Sequence, residues 1–554
     1  MFNPKLFDIL RQYSFRQFGR DLMAGVIVGI VALPLAVAFA IASGVSPEKG
    51  LFTAVIAGFI ISALGGSRVQ IGGPTGAFIV IVYGIVQVHG LAGLIAATFM
   101  AGCMLIIMGF SKLGSIIKFI PYPLIIGFTS GIALIIFSSQ FKDAFGLPIT
   151  NLPADFSGKW QSYWHHINKV NWYALGVTLF TIAVGLLWPT ITRKFPGSLI
   201  AISATAWLVH VLHLPVETIG DRFGAISYGF PSLSKPGLNF ASIQKLIQPA
   251  FTIALLGAIE SLLSAVVADG MTGDEHDSNT ELIAQGTANI FSSLFGGIPA
   301  TGAIARTATN IKNGGRTPVA GLMHAITLLV IILFAGKLVT YIPMATLAGI
   351  LIIVAYNMSE WETFVSMLKG SRKDAAVLLI TFVLTTLVDL SVAIEIGMVL
   401  AGFLFMRTMI QLTNVKWLTA KTSIPDYTLS VDEVEGIAIN KHVEVFEIRG
   451  PLFFGAVYKF KDAMKLVESP PKILIIRMRQ VPMIDATGLK AIEEFYKEAT
   501  HRGTKIILSE VKSEQVMEAL KNARLLFKIG KANVTVTFDD AIRRCKTIFP
   551  DHHI

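Results

Sequence analysis

Long apolar blocks, interrupted by short polar or glycine-rich stretches, fill the chain from residue 22 to residue 411. They fall near 22–43, 50–64, 74–88, 91–110, 115–138, 171–188, 197–213, 247–268, 280–296, 303–312, 317–335, 342–357, 374–389 and 391–411. On length these read as about 14 membrane segments, since roughly 20 apolar residues carry a helix across the hydrocarbon core. Beyond residue 416 charged residues recur throughout and no block is long enough to span. There, 441–450 alternates like a strand, 454–467 reads as a helix, 472–477 as a strand and 481–488 as a loop before a helix from Leu489. Segments 504–509 and 513–523 continue the alternation. The pattern predicts a short N-terminal segment (1–21), a membrane domain (22–412) and a soluble α/β domain (425–554) of ordinary domain size.

Composition narrows the class. The 554 residues are 53% hydrophobic and 15% charged, with a mean hydropathy of +0.64. A soluble chain of this size would hold too much apolar surface in water, so a polytopic membrane protein is expected. The first block, about 20 residues, is longer than the apolar core of a cleaved signal, so none is expected. Cys103 and Cys545 cannot form a disulfide framework, and no Cys/His spacing suggests a metal site. The net charge of +10 fits basic loop ends on a membrane protein better than nucleic-acid binding. With no Gly-Lys-Ser or Gly-Lys-Thr phosphate loop and no nucleophile–base constellation, neither an ATP-driven pump nor an enzyme is expected, and no cofactor is implied.

Threading the segments alternately gathers Arg11, Arg16, Arg20, Lys112, Lys118, Arg193, Lys194, Lys312, Arg316, Lys369, Arg372, Lys373 and Arg407 on one side. The positive-inside rule makes that side cytoplasmic, with both termini on it. Seven segments in each half, about 22–213 and 247–412, give the halves opposite orientations because seven is odd. The chain is therefore expected to be a 7+7 inverted repeat.

Two matching interruptions locate a candidate site. Gly73, Pro74, Thr75, Gly76 and Ala77 interrupt the first half; Pro299, Ala300, Thr301, Gly302 and Ala303 interrupt the second. Each carries Thr-Gly-Ala just after a proline, follows a Gly-Gly pair (Gly65-Gly66 or Gly296-Gly297), and precedes a short apolar segment. Isolated Gly/Pro clusters serve close helix packing. Broken helices at equivalent positions in two opposed halves instead mark a transporter's substrate site. Two opposed helix N-termini create positive potential and unpaired N–H groups, so an anion is the expected ligand.

Glu260 lies 13 residues into the eighth segment, about 20 Å along a helix at 1.5 Å per residue. A carboxylate at that depth is a functional candidate, and Ser264, four residues on, shares its face. Arg306 sits one turn into the tenth segment, with Glu260 or a bound anion as its expected counter-charge. Asp389 and Glu395 read as structural turn residues. Asp269, Asp274, Glu275, His276 and Asp277 read as a solvated cytoplasmic loop rather than a metal site, and His165 and His166 as part of an external loop.

At these motifs the chain resembles the SulP family of inorganic-anion permeases. The stretch Ala32-Leu-Pro-Leu-Ala-Val-Ala-Phe39 looks like the family's first helix, and Ile71–Gly76 and Gly297–Thr307 look like its two half-helices. Residues Met271–Asn279 resemble a specific stretch of the bacterial branch, and the C-terminal region resembles a STAS domain. The resemblance implies a core and a gate domain, elevator-like alternating access, a homodimer, and cytoplasmic regulators acting at the STAS domain. Carried over by motif position, Phe39, Thr75, Gly302, Ala303, Ile304 and Arg306 would surround the anion, with Glu260 and Ser264 in the coupling role. Many sulfate-type members have Gln and Tyr where this chain has Leu35 and Phe39. The sodium-dependent bicarbonate branch has Asp and Thr at Glu260 and Ser264, and no arginine at Arg306. Phosphorylatable STAS relatives carry a hydroxyl directly after the loop aspartate, where this chain has Ala486 and then Thr487. Asp485 and Thr487 read as a helix N-cap.

The function expected is secondary active transport of an inorganic anion, sulfate or a similar oxyanion, across the bilayer of an inner cell membrane, with proton coupling through Glu260. Bicarbonate, small dicarboxylates and passive anion conduction remain alternatives.

Overall fold

The structure, a computed structural model, describes residues 2–10, 13–117, 120–149, 152–153, 155–192, 196–224, 233–388, 390–417, 442–465 and 470–548. Arg11, Lys118, Arg193, Lys194, Asp389 and the expected start of the soluble domain at 425 lie outside these residues. The chain forms two compact units, Met1–Val399 and Leu400–Ile554.

The first unit is helical. In chain order its principal helices are α1 (Phe15–Ala42), α2 (Pro47–Leu64), α3 (Phe78–Phe110), α4 (Tyr122–Ser139), α5 (Trp172–Ile191), α6 (Gly197–Val211) and α7 (Phe240–Thr272). There follow α8 (Ser278–Leu294), α9 (Ile304–Lys312), α10 (Pro318–Ala335), α11 (Met344–Met358), α12 (Arg372–Leu387) and α13 (Leu390–Leu412), which runs into the second unit. Among the described residues, nine helical stretches are long and apolar enough to cross a membrane. Helix and hydropathy do not share boundaries. Helix α1 starts before the apolar block at residue 22, because the Ser14 hydroxyl caps it by accepting from Gln17 N–H at 3.2 Å. Its first turns, with Arg16, Gln17 and Arg20, are polar yet helical. Helix α3 contains Gly90 at φ 65° and ψ −174°, a kink between the two apolar blocks read as 74–88 and 91–110.

Packing sorts the helices into two groups. Helices α1, α2, α3, α7, α8, α9 and α10 pack together, and α4, α5, α6, α11 and α12 pack together. The contacts come in pairs: α8 on α3 is matched by α10 on α2, α10 on α1 by α7 on α3, and α12 on α4 by α11 on α5. Glycines bring several pairs close. A Cβ on Gly286 would lie 2.5 Å from Gly102 O, and one on Gly127 would lie 2.5 Å from Leu378 O. Small residues allow such backbone approach where apolar burial alone gives no preference between helix and lipid.

The second unit is a five-stranded sheet in the order Asn414–Trp417, Val443–Arg449, Ile473–Gln480, Lys505–Ser509, Val534–Thr535. The first pair is antiparallel and the rest are parallel. Helices α14 (Val457–Lys465), α15 (Ala486–His501), α16 (Glu514–Asn522) and α17 (Phe538–Ile548) accompany it. The strands at 443–449, 473–480 and 505–509 and the first three of these helices match the sequence pattern. The strand at Asn414–Trp417 lies upstream of the expected domain start at 425, and α17 was not read from the sequence. Asp485 caps α15, accepting from Gly488 N–H at 2.8 Å and from Phe454 N–H at 3.0 Å.

Gly286→Val is expected to destabilise the first unit by about 1–3 kcal/mol, the usual cost of overpacking. Thermal unfolding of the purified protein in detergent should show a lowered midpoint. Gly176→Ala, where a Cβ meets nothing within 4 Å, should leave it unchanged or raised.

Candidate functional site

Helix α2 ends at Gly65, and the chain turns back through residues too tightly packed for side chains: a Cβ on Gly66 would strike Asp277 O. It then runs extended through β1 (Gly72–Gly73) before α3 begins at Phe78. The second break repeats this plan. Gly296 adopts φ 67°, Gly297 packs against Ser292 and Thr53, and β2 (Thr301–Gly302) leads into α9. The two strands pair antiparallel, Gly72 opposite Gly302 and Gly73 opposite Thr301. Chain direction is therefore opposed at the crossing, from which the chain leads on into α3 at Phe78 and into α9 at Ile304.

Non-helical backbone inside an apolar unit needs polar partners. For the first break, Glu281 accepts from Gly66 N–H at 2.9 Å and Ser67 N–H at 3.2 Å. Thr307 accepts from Ile71 N–H at 3.0 Å, and Asn310 donates to Val69 O at 2.8 Å. For the second, Thr53 accepts from Ile298 N–H at 2.8 Å, Ser292 donates to Ile298 O at 2.8 Å, and Asn289 bonds both N–H and C=O of Ala300 at 2.9 and 2.8 Å. Helix α7 touches both breaks, because Thr301 donates to Gly257 O at 2.9 Å and Thr75 donates to Glu260 at 2.8 Å.

The predicted site residues divide on this frame. Thr75 and Glu260 are joined, both half-buried. Arg306 is 2% exposed; its Nη2 donates to Pro74 O while Nη1 has no partner. Gly73, at φ 150°, has no room for a Cβ beside that Nη1, so glycine is required there on both counts. Phe39 is buried and lies beside Gly76: from the place of a Cβ on Gly76, its ring is 3.6 Å away, Met358 Sδ 2.9 Å and Ile136 Cδ1 3.7 Å. Gly302 packs against the Gln70 side chain. Ile304 is exposed.

Three contacts bear on the expected site. Arg306 and Glu260 form no ion pair, because each is hydrogen-bonded to the first break instead, Arg306 at Pro74 and Glu260 at Thr75. Ala303 N–H is not open to a ligand, since it donates to Ile71 O at 2.8 Å as part of the strand crossing. The next N–H groups, of Ile304 and Ala305, precede the first intrahelical donor, Thr307 N–H to Ala303 O. Ser264 is fully buried and donates to Thr307 at 3.2 Å, which places it behind the break as a support.

Two residues were missed in the sequence. Glu281 is fully buried and, besides the Gly66 and Ser67 bonds, accepts from Gln285 at 2.8 Å and Ser261 at 3.4 Å. It sits in the first turn of α8, a place where an acid is ordinarily favoured by the helix N-terminus and so carries no distinguishing local signal. His324 on α10 is fully buried with neither ring nitrogen partnered, and lies close to Gly58. A histidine inside an apolar segment is the signal that could have found it.

Residues 18–381 match the Sulfate permease family and residues 436–541 match the STAS domain. The putative sulfate transporter YvdB of Bacillus subtilis is 40% identical, over 94% of this chain and 96% of its own length. The bicarbonate transporter BicA of a Picosynechococcus species is 31% identical over 97% and 96%. The structure of murine solute carrier 26 family member A9, an anion transporter in the inward-facing state, superposes with a TM-score of 0.87 at 19% identity. It covers 98% of this chain and 94% of that one, and so shares its fold.

Glu281→Ala would leave the Gly66 and Ser67 donors unsatisfied at a cost of about 1–3 kcal/mol or more. The melting midpoint in detergent is expected to fall clearly, and Glu281→Gln, which keeps one acceptor oxygen, should fall less.

Proposed function

The chain belongs to the sulfate permease family, and from that premise we propose that it is a secondary anion transporter that binds its substrate where the two breaks cross. The observation carrying the proposal is the antiparallel crossing of the two breaks, each leading into a helix, beside a buried guanidinium, Arg306, whose Nη1 has no partner among the described residues. An oxyanion of one or two charges suits such a site: N–H groups at the starts of α3 and α9 would bind it and Arg306 would balance its charge. Thr75 now donates to Glu260; once Glu260 is protonated and donates to Thr75 instead, the threonine hydroxyl hydrogen would be free for the anion, and Phe39 adds an apolar wall. Sulfate is the first candidate. Bicarbonate is the second reading, favoured by the 31% identity to a bicarbonate transporter.

The matched packing pairs support a 7+7 inverted repeat of 14 segments. With it comes an elevator-like mechanism in which the group bearing the breaks moves against the group of α4, α5, α6, α11 and α12. Met358 and Ile136 of that second group stand beside Gly76, so the binding position lies on the moving boundary. Both termini are proposed to face the cytoplasm of an inner cell membrane, with the chain acting as a homodimer and its STAS domain meeting cytoplasmic regulators.

Glu260 is the proposed coupling residue. Its bond to Thr75 puts a carboxylate next to the anion's position, and protonation would remove the repulsion between them. Uptake of labelled sulfate into proteoliposomes should therefore rise as the outer pH falls, and Glu260→Gln should abolish that dependence. A pH profile matching wild type removes Glu260 from coupling. Arg306→Ala is expected to raise the half-saturation concentration about 10- to 100-fold, the scale of a lost charged hydrogen bond. An unaltered value removes Arg306 from the site. Counterflow with a panel of labelled sulfate, bicarbonate and dicarboxylates selects the substrate. Flux that never exceeds the imposed gradient identifies a passive conductor.

A further inference from the structure

A second cluster of cationic side chains lies away from the crossing. A cavity of about 570 Å³ extends from Ala38, next in sequence to Phe39, and Ile79, in the first turn of α3, to Lys142, Lys159 and Arg222. These three cations differ in their partners. Arg222 is saturated: it reaches Asp143 at 2.7 Å and also pairs with Glu217. Burial works against its charged form, but those two carboxylates outweigh burial and raise its pKa. Lys159, on the helix Phe156–His166, is only 4% exposed and makes no ion pair among the described residues. The nearest acid on its own helix, Asp155, is occupied as the N-cap, accepting from Gly158 N–H at 2.7 Å and Ser157 at 3.0 Å. What Lys159 does have is the ring of Tyr83, whose centroid lies 5.3 Å from its ammonium. A ring quadrupole compensates a buried charge only in part. Burial accordingly lowers the Lys159 pKa, with Asp155 acting in the other direction. Lys142 lines the same cavity one residue before Asp143, a carboxylate already shared with Arg222.

We propose that Lys159, with Lys142, forms a second anion site, which holds a small inorganic anion at the outer end of the cavity before it passes to the crossing of the breaks. The word outer rests on the orientation proposed above. The chemistry does not: Asp143 and Asp155 also line the cavity, but an ammonium more than nine-tenths buried, with no carboxylate among the described residues at ion-pair distance, is open to balance by a diffusible anion. Tyr83 fixes the ammonium in place, its own hydroxyl engaged with Leu152 O at 3.1 Å. The site belongs to loading and leaves the occupant of the central position to the breaks and Arg306.

The test uses the full chain and labelled sulfate. Equilibrium binding to the purified protein should show two sites in wild type, one in Lys159→Gln, and two again in Lys159→Arg. In proteoliposomes of defined orientation, Lys159→Gln should raise the sulfate half-saturation about 5- to 20-fold at the face bearing residues 141–171. The opposite face should be unchanged, and the difference should shrink as ionic strength rises. Lys142→Gln should give a smaller rise at the same face, which guards against a fold lesion in the first variant. Unchanged binding and half-saturation in Lys159→Gln overturn the proposal, and so does an equal change at both faces. If Arg306→Ala leaves sulfate binding whole while Lys159→Gln removes a site, the central reading fails and the Lys159 site stands.

Discussion

The need to satisfy backbone hydrogen bonds where two segments leave helical geometry inside an apolar unit governs the rest of this structure. An unpaired N–H or C=O there costs several kcal/mol, and a glycine- and proline-rich segment cannot supply its own partners. The chain answers by crossing the two breaks, so that each is the other's β-partner. It then surrounds the crossing with side chains whose role is to bond backbone: Glu281, Thr307 and Asn310 for the first break, Thr53, Asn289 and Ser292 for the second. These six side chains, which would otherwise look like candidate ligand groups, are accounted for by this duty.

Once the frame is fixed, the charges follow. Glu260 and Arg306 could have neutralised each other; instead each is tied to the first break by an uncharged partner. Their fields are therefore not cancelled by a mutual pair, and opening the site to a ligand requires no buried ion pair to be broken. Breaking such a pair is expensive because it strands a charge in a medium that solvates it poorly. Glycine at 73 and 302 is part of the same arrangement, since a side chain at either would displace Arg306 or Gln70.

Much of this was legible beforehand. The apolar blocks, the paired Thr-Gly-Ala breaks, Glu260 and Arg306 all carry local signals: hydropathy, punctuation by Gly and Pro, and charge out of place. In the soluble unit, alternation gave the strands, and Asp485 was readable as a cap. What sequence left open has one source. Arg306 had either Glu260 or a bound anion as its expected counter-charge, Ala303 entered the site only by its motif position, and Ser264 was placed on the face of Glu260 by helical spacing. Glu281 was not singled out. In each case the deciding partner lies far off in sequence: Pro74 is 232 residues from Arg306, and Gly66 is 215 from Glu281.

The sequence by itself determined which segments are apolar, where helices break and which sign of charge sits near each break. These are properties of single residues and their near neighbours. Only the tertiary structure decided which of those groups are already spent. Hydrogen-bond and charge pairing depend on contacts of a few ångströms between segments that the chain brings together only on folding, and no local pattern encodes who the partner will be. The opposed helix starts follow from topology. That the breaks cross beside an incompletely bonded arginine, while Lys159 lies buried with no ion pair among the described residues, follows from packing alone.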